Sequence, residues 1–258
     1  MSHETRKVWY FYRPDLWKRV IYSASSEPRS EAREDVNEKK TADNIRRAQR
    51  SIEDLALCNP WEWFVTCTLS PKKYPNRLDL DGFRSDLMQL LRDERKRTGE
   101  QYAALLVPEL HKNRDGWHMH GLLHGIPAAD FKAFQLGSRL PQHIRGKILA
   151  GEEVYNWPRY AERFGWVDVE PLRSRDAAAR YITKYISKGL QEDITAAALD
   201  KGKHLYYCTR GLLRPVKVDE TAARGGLPAA VPAGLVQEAG YEYEYGRVDW
   251  FRAPPASE

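Results

Sequence analysis

Cysteine is scarce in this sequence, with three residues in a chain of 258. Cys58, Cys67 and Cys208 are odd in number and widely spaced, which excludes a disulfide framework and a Cys-x-x-Cys metal knuckle. The sequence also lacks a long apolar run, both at its N-terminus and at the length that a membrane-spanning helix needs. These absences predict a protein that works in a reducing cytoplasm without contacting a membrane.

The composition is otherwise that of an ordinary globular protein. Hydrophobic residues make up 42% and charged residues 30% of the chain, which excludes a disordered chain. The formal charge of +5 and the sequence pI near 9.0 permit a polyanionic partner but do not require one. The length suits one large domain, or one domain with appendages.

Apolar periodicity predicts a mixture of helices and strands. Helices are expected over 31–57, 80–98, 127–136 and 174–188, and strands over 63–69, 102–110, 117–124, 164–170, 204–208, 214–218 and 241–251. The stretch 137–160 reads as an irregular insertion. A strong turn signal at 113–116 predicts that the strands on either side of it form an antiparallel hairpin.

The strand 117–124 carries the first candidate chemistry. Alternation places His118 and His120 side by side on one face, and histidine is the commonest protein ligand for transition metals. The alternative is that both rings merely line a half-solvated sheet face. His124 lies on the same face, and we expect it to be dispensable.

The predicted helix 174–188 carries the second. Tyr181, Lys184, Tyr185 and Lys188 lie at offsets of three and four and therefore share one helix face. A tyrosine oxygen beside a lysine can act as a nucleophile toward phosphorus. The alternative is an exposed stripe whose long stems lie over the surface.

These segments, taken in order, resemble a known family. The stretch 64–71, then His118, Met119 and His120, then the tyrosine and lysine repeat at 181–188 are similar to motifs of HUH-type single-strand endonucleases. Tyrosines at a four-residue step resemble the two-tyrosine form found in rolling-circle replication initiators of bacteriophages and plasmids. The resemblance covers most of residues 60–190.

The resemblance implies a fold, an activity and partners. The fold would be α+β, a central antiparallel sheet flanked by helices in a ferredoxin/RRM-like palm. The activity would be nicking and joining of single-stranded or hairpin origin DNA with Mg²⁺ or Mn²⁺, leaving a 5′-phosphotyrosine and a free 3′-hydroxyl. A host polymerase would extend that hydroxyl in the bacterial cytoplasm. Because no helicase P-loop follows the nuclease region, unwinding would come from a host helicase.

The third metal ligand follows from the hairpin register. If 113–116 forms a four-residue loop, Glu109 faces His120 and His111 faces His118. Glu109 suits a hard cation better than an imidazole does. We therefore predict Glu109 as the third ligand and His111 as a supporting or DNA-contacting residue.

Further DNA contacts are weaker predictions. Arg46, Arg47 and Arg50 lie on the polar side of the first helix, where charges usually serve only solvation. Arg114 lies in the predicted turn beside the histidine strand. We assign these arginines to DNA binding as a hypothesis.

The domain organisation follows from the same segments. Residues 1–28 form a basic and aromatic N-terminal arm, which either binds nucleic acid or packs its rings onto the main domain. The nuclease domain is expected over 29–220 with its core at 60–190. Residues 221–258 are expected to be an Ala/Gly/Pro-rich connection ending in an edge strand.

Two rival functions remain. A transposase or relaxase of the same nuclease class would share the site but act on different DNA. A non-catalytic module for single-stranded nucleic acid would use an antiparallel sheet as a stacking platform. Only a catalyst would form a covalent adduct with DNA.

Overall fold

The computed structural model describes residues 5–23, 33–137, 140–179, 181–182, 204–220, 231–232, 234–243 and 246–254. The chain divides into two units, one formed by 1–38 with 213–258 and the other by 39–212. Each unit contains one antiparallel sheet, and the predicted α+β class, with antiparallel strands flanked by helices, is confirmed. No helix within these described ranges is long and apolar enough to cross a membrane.

The structure gives the element bounds. The helices are α1 Arg33–Cys58, α2 Leu80–Thr98, α3 Gln142–Leu149 and α4 Pro158–Arg163. The strands are β1 Thr5–Arg13, β2 Leu16–Ser23, β3 Trp63–Leu69, β4 Ala103–Leu110, β5 Trp117–His124, β6 Lys132–Ala133, β7 Tyr155–Asn156, β8 Gly165–Pro171, β9 Tyr207–Cys208, β10 Val216–Asp219, β11 Val236–Tyr243 and β12 Gly246–Arg252. A further helical segment occupies 175–179 and 181–182.

The smaller unit is built from the two ends of the chain. Its strands follow the order β10-β1-β2-β12-β11, and Trp9, Trp17, Phe251 and Val231 form its core. The N-terminal arm and the C-terminal connection, which the sequence analysis treats as separate segments, therefore share one sheet. The single strand predicted over 241–251 is wrong, because β11 and β12 pair as a hairpin there.

The larger sheet follows the order β6-β7-β8-β3-β5-β4-β9. Period-two alternation gives each central strand one apolar face, so Val65 and Cys67 of β3 lie in one buried cluster with Met119 of β5. Phe83 and Leu87 of α2 join this cluster from a helix. The opposite face of β3 and β5 carries the polar residues, and it is there that the candidate site lies.

Two predictions for the segment after β5 are wrong. Residues 127–136 do not form a helix but a single 3-10 turn, Ala128–Asp130, followed by β6, which pairs with β7. Phe131 is buried, whereas Leu136 is 56% exposed, so the apolar residues mark one anchor rather than a helix face. The supposed insertion 137–160 contains α3, β7 and α4.

Gly121, in the middle of β5, faces the apolar side. A Cβ added there would lie 2.5 Å from Leu106 Cδ2 and 2.9 Å from the Leu105 carbonyl oxygen. Because that oxygen belongs to the neighbouring strand, the backbone would have to move. We expect Gly121→Ala to lower the free energy of unfolding by about 1–3 kcal/mol, as overpacking does, measured by urea denaturation.

Gly146 is the matched control for this substitution. It lies in α3, and an added Cβ would meet nothing within 4 Å. Since alanine is the better helix former, Gly146→Ala should be neutral or stabilise by about 0.5–1 kcal/mol. Equal losses of stability in the two variants would contradict the steric explanation.

Candidate functional site

Two threonines of β3 hold the two histidines of β5. Cross-strand pairing places Thr68 opposite His118 and Thr66 opposite His120. The Thr68 hydroxyl lies 3.0 Å from His118 Nδ1 and the Thr66 hydroxyl lies 3.2 Å from His120 Nδ1. Both rings are therefore oriented through the same nitrogen, which leaves Nε2 as the ligand nitrogen.

Glu109 reaches this pair from β4. It lies directly opposite His118, and its Oε2 atom is 2.7 Å from Nε2 of the diagonal neighbour His120. An ionised carboxylate only accepts hydrogen bonds, so His120 Nε2 carries the proton in this contact. The structure thus brings Glu109, His118 and His120 together on one sheet face.

The predicted hairpin register is wrong. Glu109 was expected opposite His120, but β4 ends at Leu110 and pairs it with Trp117. The connection therefore spans 111–116, with the amide of His111 donating to the carbonyl of Gly116 at 2.9 Å. The register differs by two residues, and an even shift keeps every side chain on its expected face.

His111 lies in this connection and not opposite His118 in the sheet. Its ring nevertheless stacks on the His118 ring, with centroids 5.0 Å apart and planes 7° from parallel. His111 Nδ1 also lies 3.1 Å from the Asp115 carboxylate. It therefore forms the outer wall of the histidine pair, consistent with a supporting position.

The His118 imidazole is held in its neutral form. Burial is the main cause that lowers its pKa to about 4, and the neighbouring imidazoles lower it further. The carboxylates of Glu109 and Asp115 oppose the shift without cancelling it. At neutral pH His118 is therefore uncharged, the form in which histidine binds metal ions.

Tyr181 approaches the same face through an aromatic bridge. Its ring meets Phe64 of β3 edge-on at 5.1 Å, and Phe64 in turn stacks against His120 at 6.3 Å. Tyr181 is 47% exposed, whereas Ile182 and Ala179 are buried as predicted. The helical segment is thus anchored by its apolar side with Tyr181 at the site.

The start of this helical segment is fixed by Ser174. Its hydroxyl oxygen accepts from the amide of Ala177 at 3.3 Å, and its carbonyl accepts from the amide of Ala178 at 3.0 Å. This is the predicted N-terminal cap. The other three candidates on the helix, Lys184, Tyr185 and Lys188, lie outside the described residues.

One side of the site was missed by sequence reasoning. Helix α3 lies against β8, where His143 Nε2 is 3.0 Å from Asp168 Oδ2 and Lys147 Nζ is 2.7 Å from Glu170 Oε1. The signal available in the sequence was the matched spacing, since residues four apart on a helix meet residues two apart on a strand. That spacing becomes informative only once α3 and β8 are known to pair.

The arginines predicted to bind DNA are all at the surface. Arg46, Arg47 and Arg50 are exposed on α1, and Arg46 pairs with Asp43 at 3.3 Å. Arg114 lies in the β4–β5 connection with a backbone φ of 55°. Their role in binding DNA stays a prediction.

A comparison with protein families identifies the segment that carries the site. Residues 62–190, half of the chain, match the model of the replication-associated protein ORF2 family. The chain belongs to this family. It is therefore a replication-associated protein, in agreement with the predicted rolling-circle role. Comparisons with curated proteins and with solved structures gave no match.

The matched segment contains all the described donors of the replication-associated protein's histidine face. Two imidazoles and a carboxylate are a chemically suitable set for a divalent cation. In the part of the chain that the structure describes, however, no three such side chains are already gathered as an ion-binding group. The direct contact of Glu109 with His120 shows how the carboxylate is satisfied without an ion.

The lowered pKa of His118 can be measured directly. In EDTA, the His118 ring protons should titrate with a midpoint near 4, below the ordinary value of about 6.5. Because the unfolded state takes up this proton first, His118 should cost the fold stability as the pH falls from about 6.5 to 4. NMR with a His118→Asn variant for assignment tests this, and a midpoint at the ordinary value would contradict it.

Proposed function

We propose that the protein initiates rolling-circle replication by nicking single-stranded or hairpin origin DNA through a tyrosine. The observation that carries the proposal is the convergence of Glu109, His118 and His120 with Tyr181 on one sheet face, inside the family-matched segment. A phosphate held at this face lies within reach of an oxygen nucleophile and of a cation site. This combination serves phosphoryl transfer and has no evident use in simple binding.

His118, His120 and Glu109 would hold Mg²⁺ or Mn²⁺. When bound, the cation polarises the scissile phosphate and stabilises the charge that develops on its oxygens. The threonines of β3 keep both Nε2 atoms oriented toward it. Glu109 exchanges its contact with His120 for the ion, and the proton on His120 Nε2 is released.

The phenolic oxygen of Tyr181 or Tyr185 attacks the phosphorus. A bond forms between that oxygen and phosphorus, the bond from phosphorus to the 3′-oxygen breaks, and the phenolic proton leaves to solvent or a base. Lys184 and Lys188 would favour the phenolate by their charge. Because the phosphotyrosine ester retains the energy of the broken ester, the step reverses for strand joining without ATP.

The free 3′-hydroxyl is then the primer for a host polymerase, and a host helicase separates the strands. Arg46, Arg47, Arg50, Arg114 and His111 are proposed to contact the DNA backbone. Phosphate contacts of this kind set position and affinity rather than sequence preference. Their contribution would fall as the salt concentration rises.

Metal binding provides the first test. Replacing His118 or His120 with alanine, or Glu109 with glutamine, should weaken Mn²⁺ binding by about 100-fold or more, since even outer partners of ligands cost about 10–100-fold. Isothermal titration calorimetry in two buffers of different ionisation enthalpy measures affinity. It also measures the proton release expected from His120, roughly one per ion.

His124 is the matched control for these variants. It lies on the same strand and face, at the end of β5, where it pairs with Glu62 at 3.1 Å. His124→Ala should leave Mn²⁺ affinity and cleavage unchanged. Retained Mn²⁺ binding in both the His118 and His120 variants would refute the metal assignment.

The two tyrosines provide the second test. Rolling-circle synthesis needs one cleavage to start and another to release the displaced strand, and Tyr181 and Tyr185 are one helical turn apart, about 6 Å along the axis. If they alternate, each single phenylalanine variant should still form a covalent adduct and the double variant none. The assay is an SDS gel of random-sequence single strands labelled at the 3′ end, with Mn²⁺.

The labelled end matters because a 5′-phosphotyrosine retains the 3′ segment of the cleaved strand. Complete loss of adduct in Tyr181→Phe alone, or in Tyr185→Phe alone, would leave a single nucleophile and refute alternation. Absence of adduct in the unmodified protein would favour the non-catalytic binding module. Cleavage restricted to transposon ends or a conjugative origin would instead favour a transposase or relaxase.

A further inference from the structure

A cavity of about 270 Å³ lies beside the histidine face, between β3, β8 and α3. Its walls include Thr66, Thr68 and His118 on one side and His143, Trp166 and Asp168 on the other. His118 is therefore both a wall of this cavity and a member of the candidate cation site. A group seated in the cavity lies next to whatever phosphate the histidines hold.

We propose that this cavity receives the guanine base of a nucleotide adjacent to the scissile phosphate. The inference rests on the proposed function for the phosphate's position, but the base-binding site itself is independent of catalysis. The occupant follows from the chemistry of the walls.

Aromatic rings provide the stacking surface. Trp166 lines the cavity and is 59% exposed, an unusual exposure for an indole on an interior strand. Phe134 lies on the same cavity. Stacking of a base on an aromatic side chain is a general mode of single-strand binding, and it does not discriminate among bases.

Asp168 provides the discrimination. Its side chain is 17% exposed and meets the largely exposed His143 imidazole at 3.0 Å. A carboxylate accepts at two oxygens and donates nothing. Guanine has two adjacent donors on its Watson–Crick edge, N1–H and the N2 amino group, and matches it bidentately. Adenine and cytosine place an acceptor beside their amino group, and thymine flanks its single donor with carbonyls.

The test is equilibrium binding of the full-length protein in EDTA, where no cleavage occurs. The probes are fluorescein-labelled dT12 and dT12 derivatives with one central dG, dA or dC, and the measurement is fluorescence anisotropy. One dG should tighten binding by roughly 5- to 150-fold, the range for a good bidentate contact. The dA and dC probes should bind about as dT12 does.

Asp168→Asn should abolish the guanine preference, because the amide presents one donor and one acceptor. Trp166→Ala should instead weaken all four probes by roughly 5-fold or more. Glu170→Gln is the matched control. Glu170 lies two residues along β8 on the same face and pairs with Lys147 of the same helix, so its substitution should leave the preference intact.

Several outcomes would overturn the proposal. These are equal binding of all four probes by the unmodified protein, a full guanine preference in Asp168→Asn, or equal losses in Asp168→Asn and Glu170→Gln, which would make both ion pairs mere anchors of α3. The covalent adduct assay is separate. An adduct without base preference refutes the cavity alone, and base preference without an adduct refutes the nuclease alone.

Discussion

The pairing of β5 with a neighbour on each side is the constraint on which the site depends. Because β5 lies between β3 and β4, its side chains cannot turn without disturbing two ladders of hydrogen bonds. One face must supply Met119 to the core, so the histidines are fixed on the other. The same two ladders deliver Thr66 and Thr68 from one side and Glu109 from the other. The three strands thus position every described donor.

That arrangement also determines the electrostatics of the face. Two imidazoles side by side, one buried and one half-buried, would repel one another if both were protonated, and burial adds a larger cost to charge. The pKa of His118 is lowered to about 4 as a result. Glu109 meets the proton of His120, so the face contains no unpaired charge among these three residues. A cation would enter an environment that already contains a carboxylate and a neutral imidazole.

Much of this could be predicted from alternation and helix spacing alone. The bounds of β5 and β3 follow from their residue patterns, and α2 ends at Gly99, whose φ of 76° suits glycine. The register could not be predicted, because His111 and Lys112 look like strand residues yet belong to the connection. The assignment of Glu109 to the site face nevertheless survived, since a shift of two preserves the face.

The elements that were not predicted depend on distant partners. The smaller sheet pairs Val20 of β2 with Val248 of β12, and no local pattern indicates a pairing over that separation. Helix α3 has one buried apolar anchor, Ile144, too few to produce a clear helical period. Its position is set by ion pairs to β8. Sequence periodicity reports burial against a neighbour, and α3 is held mainly by charge.

Those ion pairs explain how a polyanion can approach a face that contains several carboxylates. Asp168 and Glu170 lie on β8, one strand beyond the threonines, and two unpaired negative charges there would repel a DNA backbone. His143 and Lys147 of α3 pair with them, so this edge has little net charge whenever His143 is protonated, and one negative charge at most otherwise. The neutral threonines separate this edge from Glu109 and the histidines. The sheet therefore presents two distinct polar groups in a row, one suited to a cation and phosphate and the other suited to the edge of a base.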